Sequence, residues 1–256
     1  MIDFTKSKQY TLSIRLCTDG FSFSIYNPIH DDSTSTIEKG VDASLSMTAN
    51  LKAAFHESDF LHHPYKRVNI MMAGKRFTVV PLEWFDEEQA ELLFYYNHPK
   101  QENEVVLYNK LEKNNIVVIF GMDKSAYAFL NAQYPDAHFY AQATPLIDYF
   151  SIKSRLGNSK KMYISVSQEA IALYAFERGH LLLANSFEWM TTTDQIYYVL
   201  LAWKQLKFDQ ERDELHLTGV LPEKESLMSE LKKYISQVFI TNPATNIDMQ
   251  ALLTCE

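Results

Sequence analysis

The C-terminal third of the chain constrains the fold most tightly, through the order in which two periodicities alternate. Ile164 and Val166, Ile171 and Leu173, and Leu181 and Leu183 mark three consecutive strands, joined at Gln168-Glu169 and at Arg178-Gly179. Then the period changes. Ile196, Val199, Leu200, Trp203 and Leu206 recur at helical spacing behind a Thr192/Gln195 pair that reads as a capping box. Leu215–Thr218 predicts a strand ended by Gly219. Pro222 opens a helix carrying Leu227, Leu231, Tyr234 and Ile235, and Val238–Thr241 predicts a last strand stopped by Asn242-Pro243. A three-stranded meander extended by helical crossovers is an α/β arrangement that mixes antiparallel and parallel pairing.

The N-terminal half begins in the same way. Leu12, Ile14 and Leu16, then Phe21, Phe23 and Ile25, alternate with polar residues around Asp19-Gly20, a dipeptide suited to a type I′ turn with positive φ at both positions. A polar loop over 29–36, a third strand near Ile37–Val41 and a helix over 45–55 follow. Arg67–Met72 and Arg76–Val80 predict two short strands around Ala73-Gly74-Lys75. Asp86-Glu87-Glu88-Gln89 reads as a capping box opening a helix. Strands at Val105–Tyr108 and Ile116–Phe120, a helix capped by Asp123, a strand at His138–Ala141 and a helix opened by Thr144-Pro145 complete this half. About forty residues near 73–115 form an α+β insertion by this account. The basic run Lys153, Arg155, Lys160 and Lys161 reads as a solvated linker, which sets expected domains of 1–157 and 158–256.

Composition narrows the chemistry. Glycine is scarce, 7 in 256 residues, about 2.7% against an average near 7%. Few loops can therefore press backbone N–H groups against a phosphate. The net charge of −8 disfavours broad binding to nucleic acid or to anionic membranes. Cys17 and Cys255 are the only cysteines, which excludes a disulfide scaffold and a cysteine zinc site. No apolar N-terminal region or run of about 20 apolar residues is visible, so a cytoplasmic protein without membrane insertion is expected.

The order of elements in each half is ribonuclease-H-like, and two such halves in one chain resemble the actin-like ATPase superfamily. Val68-Asn69-Ile70-Met71-Met72 with Phe77-Thr78-Val79-Val80-Pro81 resembles the strand-turn-strand and corner of the bacterial actin-like proteins of type IV pilus assembly and cell division. Leu215-His216-Leu217-Thr218-Gly219 and Val238-Phe239-Ile240-Thr241-Asn242-Pro243 resemble their adenosine-side segments. The whole chain also resembles an uncharacterised bacterial family known only as a domain of unknown function. The implied fold is α/β, two ribonuclease-H-like lobes with an insertion in the first.

The departures from that pattern bear on function. The superfamily places an Asp-x-Gly phosphate turn between the first two strands of each half. Here the first turn is Cys17-Thr18-Asp19-Gly20-Phe21, with Asp19 and Gly20 adjacent. The second, Ser165 to Ala170 through Ser167-Gln168-Glu169, has neither Asp nor Gly. The paired glycines of the adenosine contact are reduced to Gly219 followed by Val220. The remnant cleft thus comprises Asp19, Gly20, Ser167 and Gly219. No carboxylates placed to hold Mg²⁺ or to position a water are evident.

Other candidates have plainer readings. His56, Asp59, His62 and His63 match no standard zinc spacing and read as a helix end and loop. Cys17 reads as a strand residue, with no histidine placed to activate it. Among the insertion aromatics Trp84, Phe85, Phe94, Tyr95 and Tyr96, the side chains of Trp84 and Tyr95 are candidate anchors for a protein partner. The resulting expectation is a non-catalytic actin-like scaffold or adaptor without a cofactor. The competing expectation is a weak ATP·Mg²⁺-binding protein or ATPase with atypical loops. A ribonuclease-H-type nuclease is disfavoured because the first strand offers Arg15 where such an enzyme needs an acid.

Overall fold

The computed structural model describes residues 2–28, 33–167, 170–219, 224–241 and 246–255. They form two compact units, Met1–Lys110 with Val117–Gln142, and Leu111–Ile116 with Ala143–Glu256.

In the first unit, β1 (Thr11–Leu16), β2 (Gly20–Asn27), β3 (Ser33–Gly40), β4 (Arg67–Met72) and β8 (His138–Ala141) build a sheet of order β3-β2-β1-β4-β8. β1 runs antiparallel to β2 and parallel to β4, which is parallel to β8. Period-2 alternation sends Leu12, Ile14 and Leu16 to one face beside Ile25, Phe23 and Phe21. There they pack with Leu51 and Phe55 of α1 (Met47–His56) and with Ala126 and Leu130 of α3 (Lys124–Gln133). Ser46 caps α1 and Asp123 caps α3, the latter accepting the Ala126 N–H at 2.7 Å. β3 starts at Ser33, inside the segment expected to be a loop.

The first hairpin corrects the expected turn. Neither Asp19 nor Gly20 has positive φ. Thr18 and Asp19 form the tip, and the Cys17 N–H donates to the Gly20 carbonyl at 3.0 Å. Gly20 already belongs to β2, opposite Gly40 of β3, where a Cβ would stand 3.0 Å from the Lys39 carbonyl oxygen. Its missing side chain serves strand packing. A hairpin turn with positive φ at both positions occurs at Arg178 (49°) and Gly179 (90°).

The insertion is a three-stranded sheet of order β5-β7-β6, from β5 (Phe77–Pro81), β6 (Glu104–Leu111) and β7 (Ile116–Asp123), with α2 (Ala90–Asn97) against it. β4 and β5, expected as neighbours, lie in different sheets. The strand at Ile116, expected to resume the main sheet, is the middle of the small one, which therefore extends to Asp123. Val117 and Ile119 pack on Phe94 of α2, while Met122 joins the main core, so β7 reads as an apolar run from Ile116 to Phe120 and again at Met122. A 3₁₀ turn, Glu87–Gln89, precedes α2. Asp86 caps it by accepting the Glu88 N–H, and the Gln89 amide reaches the Asp86 side chain rather than its backbone.

One ion pair gathers the base of this insertion. Arg76 donates to both Glu104 carboxylate oxygens at 3.0 and 2.9 Å and to the Pro99 carbonyl at 2.9 Å. Its guanidinium lies over the Phe94 ring, 5.4 Å from the centroid. The Glu104 side chain is only 5% exposed, and a Cβ at Gly121 of β7 would press into its carboxylate. Asn109 of β6 bonds the β8 backbone at both the Phe139 carbonyl (2.7 Å) and the Ala141 N–H (3.0 Å).

In the second unit, β9 (Lys161–Val166), β10 (Ala170–Glu177), β11 (His180–Glu188), β12 (Glu214–Gly219) and β13 (Gln237–Ile240) form a sheet of order β11-β10-β9-β12-β13. Met162, Ile164, Leu215 and Leu217 bury one face against Val199 and Trp203 of α5 (Thr192–Gln205) and against Leu227 and Leu231 of α6 (Lys224–Leu231). α5 carries a capping box, one residue earlier than expected, between Thr191 and Asp194. α4 (Ala143–Ser154), which begins before the expected Thr144 cap, packs in this unit on β10, β11 and α7 (Ile247–Thr254). The sequence had placed that helix before the boundary at 157. Ile247, Met249 and Leu252 of α7 are buried, and the helix packs on α4. Pro222, the expected helix start, lies outside the described residues.

Parallel pairing of β9 with β12 sets Lys161 against Glu214 and Tyr163 against His216. Lys161 Nζ lies 2.6 Å from the Glu214 carboxylate, and its side chain is 8% exposed, so it is no part of a solvated linker. Ser159 donates to the other Glu214 oxygen at 2.5 Å, and His216 Nε2 lies 2.9 Å from Oε2. Burial works to raise the Glu214 carboxyl, but hydrogen bonds from Lys161, Ser159 and His216 outweigh it and hold it below its ordinary value. The His216 ring is stacked between Tyr163 and Phe239, with centroids at 4.8 and 5.3 Å. Burial lowers its pKa, against the pull of Glu214.

Two predictions follow from this sheet. Gly219 has φ +90°, and a Cβ there would drive into the Val166 carbonyl oxygen and stand 2.9 Å from the Val166 nitrogen. Gly219→Ala should destabilise the unit by about 2–4 kcal/mol, a fall of roughly 4–12 °C in melting temperature. Gly74→Ala, where a Cβ meets nothing within 4 Å, should change stability by less than about 0.5 kcal/mol. The second prediction concerns pH. Folded His216 resists a proton that the unfolded chain accepts near 6.5, so its contribution is complete above that pH. It is lost as pH falls through 6.5 toward the depressed folded value. Melting temperature should therefore fall more steeply between pH 7 and 5 in the wild type than in His216→Gln; equal slopes would refute this.

Candidate functional site

In open α/β sheets, ligands bind beyond the carboxyl ends of parallel strands. In the first unit, β1 ends at Leu16 and leads into Cys17-Thr18-Asp19, with Gly20 opening β2. In the second, β9 ends at Val166 and leads into Ser167, while β12 ends at Gly219, paired with Val166. The topology thus brings Ser167 and Gly219 together at one sheet end and places Asp19 and Gly20 at the corresponding end of the other sheet. The expected partners Glu169 and Val220 lie outside the described residues.

The polar groups at these ends are engaged locally. The Ser167 N–H and hydroxyl both donate to the Ala170 carbonyl, at 2.9 and 3.0 Å. The same hydroxyl accepts the Ala170 N–H at 3.1 Å, and the Ser167 carbonyl accepts the Trp189 indole N–H at 3.1 Å. Ser167 therefore closes its own hairpin. In the first unit, burial raises the Cys17 thiol above its ordinary pKa; Arg15 opposes this, and a hydrogen bond to Asp19 adds to it. A protonated thiol donating to a carboxylate is a poor nucleophile. Gly219 is required by the backbone of Val166 beside it. These donors and acceptors are engaged, among the described residues, within their own turns and strands. Among the described residues, no three His, Cys, Asp or Glu side chains converge to hold a metal ion.

The histidine cluster is likewise absorbed by the fold. His62 Nε2 bonds the Phe55 carbonyl at 3.0 Å, and His63 stacks on Phe4 with centroids at 5.1 Å. In the insertion, Trp84 and Tyr95 have different surroundings. Trp84 is 75% exposed. The Tyr95 ring is half-buried, packed edge-on against Phe94 at 5.3 Å, with Lys100 Nζ 5.4 Å from its centroid. Burial, followed by Glu104, raises the pKa of its hydroxyl. Leu92 and Tyr96 are exposed alongside Trp84 in this insertion. Helical spacing would have identified Leu92 and Tyr96 as one face, opposite Phe94. Among the described residues, no helix is long and apolar enough to cross a membrane.

Similarity to known proteins agrees with the resemblance read from the sequence. A Bacteroides thetaiotaomicron crystal structure, described as a protein with actin-like ATPase fold and unknown function, matches with a TM-score of 0.96. It is 74% identical over 100% of both chains. The PilM–PilN type IV pilus biogenesis complex matches with a TM-score of 0.60 at 10% identity, over 94% of this chain and 89% of that one. The ethanolamine utilization protein EutJ of Carboxydothermus hydrogenoformans gives 0.52 at 7% identity, over 96% and 90%. At such identities these two likenesses show the fold alone. No curated protein matches. The model of the family described as "Protein of unknown function (DUF3822)" matches residues 1–238. With that match over nearly the full chain, the protein belongs to the DUF3822 family and has the actin-like ATPase fold.

Proposed function

We propose that this chain is a non-catalytic actin-like scaffold that holds a protein partner and does not hydrolyse nucleotide. The observation that carries this reading is the Ser167 turn. Its amide and hydroxyl, the groups that would face a phosphate, bond Ala170 instead. Phosphoryl transfer depends on aimed donors and a metal bridge. Binding ATP at this turn would first require breaking the bonds that close it. In the other unit, the Cys17 thiol donates a hydrogen bond to Asp19, and beside Ser167 itself Gly219 accommodates the Val166 backbone.

A protein partner is the remaining use of the frame. The PilM–PilN complex shows that a protein of this fold forms part of a protein assembly. Trp84 offers this chain an exposed anchor, while Tyr95 supports the helix that carries its neighbours. Cys17 and Cys255 form no disulfide, which is consistent with a cytoplasmic location.

The test is a thermal melt with ATP·Mg²⁺. Nucleotide at about 1 mM with a dissociation constant of about 10 μM would stabilise the fold by roughly 2.7 kcal/mol. For units of this size that is a shift of about 5–10 °C. The scaffold reading expects none. A clear Mg²⁺-dependent shift would replace it with weak ATP binding through atypical loops.

A further inference from the structure

The insertion's helix α2 has two unlike faces. Phe94 is fully buried, whereas Leu92 is 70% and Tyr96 88% exposed. Positions i and i+4 stack on one face, so Leu92 and Tyr96 form a continuous apolar stripe pointing away from the small core. Trp84 is exposed at the end of a separate, earlier 3₁₀ turn, Leu82–Trp84. Along the segment that carries this stripe the charge has one sign, although Lys100 reaches the neighbouring Tyr95 ring. Between Leu82 and Asn97 there is no Lys or Arg. Asp86 caps a turn and Glu87 pairs with Lys110. Glu83, Glu88 and Glu91 are exposed and have no ion-pair partner among the described residues.

We infer that the Leu92–Tyr96 face docks a basic amphipathic segment of another protein, its apolar side chains on Leu92 and Tyr96 and its Lys or Arg side chains against Glu88 and Glu91. This deepens the scaffold reading by naming the chemistry of the partner. Charge complementarity selects the occupant. An anionic membrane surface is repelled by the same carboxylates. Two copies meeting through this face would set like charges against each other. A segment carrying leucines at helical spacing with lysines beside them meets both the apolar stripe and its acidic border.

The test uses the full chain and a synthetic Lys/Leu peptide of about 18 residues with leucines at i, i+3, i+4 and i+7. Fluorescence anisotropy of the labelled peptide reads binding at moderate salt. The Lys/Leu peptide should bind; the Glu/Leu peptide and the Lys/Ser peptide should bind at least tenfold more weakly. The chain's net charge of −8 attracts any basic peptide, so the decisive variant is Leu92→Ser/Tyr96→Ser, which leaves every charge in place. It should keep the wild-type melting temperature and lose at least tenfold in affinity. Glu88→Gln/Glu91→Gln should also lose affinity while retaining the apolar stripe. Unchanged affinity in the serine variant overturns the proposal. So does concentration-dependent self-association in sedimentation that this variant abolishes, which would assign the face to a second copy. A nucleotide-induced thermal shift would remove the non-catalytic reading and leave this contact standing; peptide indifference would do the reverse.

Discussion

The parallel register of β9 against β12 governs the second unit from end to end. At the amino ends it sets Lys161 against Glu214, and at the carboxyl ends it brings Gly219 onto the Val166 backbone. A slip of β9 by one residue would send Met162 and Ile164 to the opposite face and turn Lys161 toward the apolar core. The ion pair and the missing Cβ therefore enforce one alignment from opposite directions. Both features lie where a helical crossover must return the chain beside a strand far away in sequence. Helix–sheet packing alone would tolerate more than one such placement.

The first unit reaches a similar frame by different local chemistry. Its central strand also lies between an antiparallel and a parallel neighbour, but the hairpin tip uses Thr18-Asp19 without positive φ. Glycine at position 20 permits close approach to β3. The glycines at the two sheet ends serve strand packing. At Gly20 and Gly219, the absent side chain admits neighbouring backbone. The same economy explains why a chain so poor in glycine can hold this architecture and why its turns close on themselves.

Much of this was legible in the sequence, and the failures share a cause. Alternation at Leu12, Ile14 and Leu16, the helical recurrence from Ile196 to Trp203, and the short strand at His138 are local patterns that specify their elements. Turn and cap positions were less secure. Asp19-Gly20 and Arg178-Gly179 both suit tight turns, and only strand register decides which pair sits at the tip. The box on α5 involves Thr191 and Asp194 because Asp194 reaches back to the Thr191 N–H at 2.9 Å. The Ile116 run could serve any buried strand, and its sheet depends on non-local pairing. Lys161 reads as part of a basic run until the β12 carboxylate beside it is known. Around the candidate site, the lack of Asp and Gly in the second turn was visible, but the Ser167 bonds that close it were not. Tyr95 and Tyr96 are indistinguishable as letters, and the helix turns one inward and the other outward.

Arg76 has a wider meaning for how such a protein can change. It precedes β5, while its partners Pro99 and Glu104 follow α2 and open β6, so a single guanidinium ties together the two arms of the insertion. With the arms riveted at their root, the outward residues of α2 carry little structural duty. That surface can therefore accept changes of side chain while the body beneath continues to fold unchanged.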